Sequence, residues 1–102
     1  MEYKSFEELK EYIERSERQI DIARVKEAYD LAVQAHGEQR RVSGEPYIIH
    51  PIEVAFILID LGMDTECICA GLLHDVVEDT QVSLDEIRKR FGHDVALLVD
   101  GV

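Results

Sequence analysis

The sequence predicts an all-α fold, a helical bundle, and three observations predict it. Apolar residues recur at helical spacing along most of the chain, two capping boxes mark helix starts, and no stretch alternates apolar and polar as a half-buried strand would. The 102 residues, 46% apolar and 32% charged, are enough for one domain with a modest core.

The elements follow in order. Ser5 with Glu8 opens a first helix over about residues 6 to 18, striped by Phe6, Leu9, Tyr12 and Ile13. Asp21 caps a second, whose apolar positions Ile22, Val25, Ala28, Tyr29, Ala32 and Ala35 run on to His36, with Gly37 beginning the exit. Arg40 to Tyr47, RRVSGEPY, has Ser, Gly and Pro and no period, which marks an exposed loop. Pro51 stands where a third helix begins, so His50 sits at its N-terminus, and a largely apolar run from Ile52 to Leu61 ends at Gly62. Asp64 or Thr65 caps a fourth helix, about residues 66 to 78, apolar nearly all round until His74 and therefore the central one. Ser83 with Glu86 opens a short helix ending near Phe91 and Gly92, and residues 93 to 100 begin another. The final DVALLVDGV breaks off with apolar residues still arriving and without a capping pattern. The bundle is therefore expected to be incomplete there, with an exposed apolar face left for another segment or for a second copy of the chain, as in a homo-oligomer.

Composition narrows the function. A net charge of −11 speaks against nucleic acid and anionic membrane as partners, since both need a basic surface. No run of eighteen apolar residues occurs and the N-terminus is charged and amphipathic, so a cytoplasmic location is expected. Cys67 and Cys69, two apart on one helix, point roughly 200° away from each other and read as buried structural thiols. Arg40 and Arg41 form a basic pair at a loop of an otherwise acidic chain.

The segment HDVVEDT, His74 to Thr80, carries the strongest chemical signal. His74 and Glu78 are four apart, as are Asp75 and Asp79, so one helix end collects several acidic groups that repel each other near the negative end of its dipole. A bound cation removes that conflict. Mn2+ or Fe2+ accepts imidazole together with carboxylate, and His50, His74 and Asp75 supply such a set if the third and fourth helices lie side by side. Glu78 and Asp79 fit better as acid and base groups beside the metal than as further ligands. Arg40 and Arg41 suit binding of phosphate or stacking on a base, while Ser43, Gly44 and Glu45 are weak signals for a nucleotide pocket. Folding alone would make His50 a capping histidine, Glu78 and Asp79 a solvated helix end, and the arginines surface charges. His36 and His93 receive no role.

The segments ARVKEAYDLAVQAH, RRVSGEPYIIHP, AGLLHDVVEDT, SLDEIRKRFG and DVALLVDGV resemble the N-terminal hydrolase domain of the RelA/SpoT alarmone enzymes, a branch of the HD metal-dependent phosphohydrolases. The resemblance covers residues 20 to 102, the N-terminal part of such a domain, while residues 1 to 19 form a helix without a diagnostic motif. It implies an HD-domain helical bundle and removal of the 3′-pyrophosphate from ppGpp and pppGpp, with Mn2+, giving GDP or GTP. It implies metal binding by His50, His74 and Asp75, catalysis by Glu78 and Asp79, and nucleotide binding by the loop of Arg41 and Ser43. The family usually carries a basic residue just before the serine; here that place is Val42, so its contact is lost or passes to Arg40. The family's fourth ligand, an aspartate beyond the DGV segment, and its synthetase region both lie downstream of Val102. Weak or no hydrolysis by these residues alone, and no alarmone synthesis, are expected. Two rivals remain: a non-catalytic module that binds the alarmone or a protein, and an HD phosphohydrolase for another nucleotide. The RRVSGEPY loop speaks against the second rival, because a generic HD enzyme has no need of it.

Overall fold

In a computed structural model that describes residues 4–101, the chain runs through α1 (Phe6–Arg15), α2 (Ile22–His36), α3 (Ile49–Asp60), α4 (Thr65–Leu73), α5 (Val76–Asp79), α6 (Leu84–Phe91) and α7 (His93–Asp100). No strand occurs among the described residues, as expected for an all-α chain. The starts follow the predicted caps: Ser5, Asp21, Asp64 and Ser83 each accept a bond from the backbone N–H three residues on. Val102, the last residue of the DGV segment, lies outside the described residues.

α4 is the central helix. It packs against α2, α3 and α7, with Ile68, Cys69, Leu72 and Leu73 fully shielded from solvent. Burial pushes the Cys69 thiol up to about 12, which keeps it protonated and unreactive. Cys67, expected to be buried, is only partly so. Phe6, Leu9 and Ile13 of α1 and Ile87, Phe91 and Val95 of α6 and α7 join the same core.

The antiparallel pair α3 and α4 approaches closely at Gly71, where an added Cβ would stand 2.6 Å from Leu58 Cδ1 and 3.3 Å from Val54 Cγ1. One turn from this contact, at the N-terminal end of α3 and the C-terminal end of α4, lie His50 and His74.

Four boundaries differ from expectation, each for a local reason. α1 stops at Arg15 rather than near residue 18, because Glu17 has φ of 57° and Arg18 turns away to donate to the carbonyls of Ile59 and Met63. α3 starts at Ile49, which puts His50 and Pro51 inside its first turn, where a proline's missing N–H is no loss. The expected fourth helix breaks after Leu73: Asp75 sits at φ −88°, ψ −10°, and only then do four residues of α5 follow, closed by the Thr80 hydroxyl on the Val76 carbonyl. α7 does have a C-terminal cap, Gly101 at φ 78°, whose N–H reaches the Leu98 carbonyl. Leu97 and Leu98 are nevertheless exposed on that helix.

The predicted loop is a tight hairpin. Arg40 bridges Pro46, Arg41 N–H donates to the Glu45 carbonyl, and Gly44 takes the positive φ, 97°, that the turn requires. No described helix is long and apolar enough to cross a membrane.

Truncating a central side chain should be costly. Leu72→Ala is expected to lower the unfolding free energy by about 3 kcal/mol in urea denaturation.

Candidate metal centre

His50 comes from the first turn of α3, His74 from the C-cap of α4, and Asp75 from the break before α5. Each offers a ligand atom, and the three atoms lie within 4.8 Å of one another. Nε2 of His74 stands 3.0 Å from Oδ1 of Asp75, whose side chain is only 15% exposed. The two imidazole rings tilt toward each other with centroids 6.2 Å apart.

Nδ1 of His74 lies 3.4 Å from the Gly71 carbonyl, and Nε2 faces the Asp75 carboxylate. Two lone pairs at that distance repel unless a proton or a cation lies between them. The donor set, two imidazoles and a carboxylate, suits a borderline divalent ion and not the all-oxygen preference of calcium or magnesium. Bonds of about 2.1 Å place donors on one ion at most about 4.2 Å apart, so a small rotamer adjustment closes the cluster.

His50 and Asp75 open into a hollow of about 560 Å³ whose other walls are Arg40, Arg41, Val42, Ser43 and Tyr47. The hairpin therefore hangs its two arginines and its serine over the metal cluster. Arg40 Nη1 donates to the Gly44 carbonyl at 2.9 Å, and Arg41 Nε lies 3.7 Å from Glu45 Oε1. Val42, fully exposed at the tip, lines the same hollow without a polar group to offer.

Glu78 and Asp79 line a second hollow, of about 820 Å³, with Gln39, Thr80 and Glu86. Asp79 is joined to the first hollow by the Tyr47 hydroxyl, which donates to its Oδ2. That bond, followed by burial and the negative charges of Asp75 and Asp79, holds the Tyr47 phenol well above its ordinary pKa. Tyr47 is thus a permanent donor at neutral pH. Both carboxylates are exposed and line the second hollow, and Asp79 alone is tied to the first through Tyr47, so the two acidic groups are not equivalently placed.

Sequence reasoning missed Tyr47 and His36. Tyr47 reads as a loop residue and His36 as a helix end without a role; only the packing of α2 against the hairpin's exit puts their rings in contact.

The HD-domain profile matches residues 28–102. The chain belongs to the HD-domain family. This HD chain is 56% identical over 78 residues to a guanosine-3′,5′-bis(diphosphate) 3′-pyrophosphohydrolase of Aquifex aeolicus, covering 76% of this chain and 11% of that protein. It is 51% identical over 81 residues to a GTP pyrophosphokinase of Streptomyces coelicolor, covering 79% and 10%. The HD chain spans about a tenth of the length of these curated relatives. A solved structure of a metazoan ortholog of SpoT, described as hydrolysing ppGpp, superposes with a TM-score of 0.74 at 38% identity, over 83% of this chain and 50% of that one. The expected RelA/SpoT resemblance and the HD helical fold are thereby borne out.

Removal of one donor should weaken the site without unfolding it. Asp75→Ala is expected to lower the affinity for a divalent ion at least about tenfold in calorimetry on the metal-stripped chain. Unchanged affinity would mean that the ion binds elsewhere.

Proposed function

We propose that the chain forms part of an alarmone hydrolase domain that removes the 3′-pyrophosphate of ppGpp and pppGpp, leaving GDP or GTP, with Mn2+ as the ion. The observation that carries this reading is that two members of the donor cluster and the basic hairpin line one hollow. The names of the Aquifex relative and of the solved SpoT ortholog agree with it. The Streptomyces relative, named for the opposite reaction, shares this segment over only 10% of its own length.

The reaction adds the oxygen of water to the phosphorus on the ribose 3′-oxygen and breaks the bond between that phosphorus and the 3′-oxygen. When bound, the ion supplies Lewis-acid polarisation of the phosphoryl group and a nucleophile at neutral pH. His50, His74 and Asp75 are the residues that would hold it. The side chains of Arg40 and Arg41 meet a polyanion in a chain of net charge −11, where only a local basic patch permits one to approach. Ser43 adds a hydroxyl donor or acceptor on the same wall. A proton must leave the water and another must reach the 3′-oxygen, and Asp79, at the edge of the hollow through Tyr47, is the better placed of the acidic pair to handle them; Glu78 assists from the neighbouring hollow. A cytoplasmic location is part of the same reading.

Incubation of the Mn2+-loaded chain with ppGpp should release pyrophosphate slowly, and Asp75→Ala should abolish the release. Normal turnover by Asp75→Ala would contradict the proposal, and tight metal-free binding of ppGpp without turnover would favour a non-catalytic module.

A further inference from the structure

His36 lines none of the walls of the metal hollow, yet it is only 2% exposed. Its Nε2 is buried without a hydrogen-bond partner, a cost that an apolar side chain in the same space would not carry. Its ring lies flat on that of Tyr47, with centroids 4.3 Å apart and planes 23° from parallel. The Tyr47 hydroxyl in turn donates to the carboxylate of Asp79.

Gln39 closes the circuit. Its Nε2 donates to the Asp79 carbonyl at 3.1 Å, its Oε1 lies 3.4 Å from Nδ1 of His36, and its backbone carbonyl accepts from the Tyr47 N–H at 3.1 Å. The amide oxygen can only accept, so Nδ1 of His36 is the donor in this contact. Asp79 is gripped twice, at its carboxylate by Tyr47 and at its backbone by Gln39, and both grips lean on His36. Asp79 is itself exposed, at the end of a four-residue helix, so these two bonds are what fix it in place.

We infer that His36 and Tyr47 are positioning residues that hold the Asp79 carboxylate at the edge of the metal hollow, a role that rests on the hydrolase reading for its catalytic meaning. His36 acts only through Tyr47 and Gln39. Tyr47 acts through its hydroxyl, so its ring can stay while the grip is lost.

The rotamer of Asp79 tests this without need of turnover, by NMR three-bond couplings from its Cγ to the backbone nitrogen and carbonyl carbon. The unaltered chain should show one rotamer. Tyr47→Phe removes the donor and His36→Leu fills the space without a flat ring or an N–H, and each should leave Asp79 averaging over several rotamers. His36→Phe restores the flat face and should recover part of the single-rotamer population. Asp79 remaining in one rotamer in Tyr47→Phe, which keeps the packing and so is the variant sure to be readable, would overturn the inference. Equal averaging in His36→Phe and His36→Leu would overturn the stacking route from His36. In a pyrophosphate-release assay, Tyr47→Phe should lower kcat roughly tenfold and leave KM within about twofold. An unaltered chain that releases no pyrophosphate agrees with the weak or absent hydrolysis expected of these residues alone, and the rotamer experiment still decides the positioning role.

Discussion

The close approach of α3 to α4 at Gly71 is the constraint on which the candidate site depends. A side chain at that position would press on Leu58 Cδ1 and Val54 Cγ1, which would have to give way one turn from the point where the two histidines meet. The break after Leu73 then turns Asp75 back toward His74, which a continuous helix would not do. Neither feature is chemical in itself. Together they bring two imidazoles and a carboxylate from three successive structural contexts into one cluster.

Electrostatics explains why the cluster is stable only as part of a larger arrangement. The chain carries a strong negative charge, and HDVVEDT concentrates it. Carboxylates gathered without a counter-charge destabilise a fold, whereas a cation turns the same repulsion into attraction. The fold answers the rest locally. The Tyr47 hydroxyl meets Asp79, and the hairpin brings Arg40 and Arg41 to the hollow where a phosphorylated ligand would arrive. Asp85 pairs with Arg88 and Lys89 within its own helix.

Much of this was legible in the residues. The caps at Ser5, Asp21 and Ser83 and the apolar run of α4 announced the helices, and the pairing of His50 with His74 and Asp75 was readable from the expectation that the third and fourth helices are neighbours. The break at His74 and Asp75 was not readable, because His and Asp are tolerated in a last helical turn and the deciding influences are tertiary: burial of Val76 and the tethering of Asp79 to Tyr47 and Gln39. The same holds for the hairpin. Ser, Gly and Pro announced a turn, but the register that places Arg41 opposite Glu45 comes from backbone bonds that composition does not encode. The pairing of His36 with Tyr47 lay furthest out of reach, since the two residues belong to different elements and no spacing relates one to the other.

The account stands or falls on where an ion sits. Crystals of the chain grown with Mn2+ and measured at the manganese absorption edge would locate it directly by anomalous scattering. The account predicts one peak bonded to His50, His74 and Asp75 together, beside the wall formed by Arg40, Arg41 and Ser43. A peak held by Glu78 and Asp79 in the neighbouring hollow, or no peak at the histidine cluster at saturating Mn2+, would contradict it.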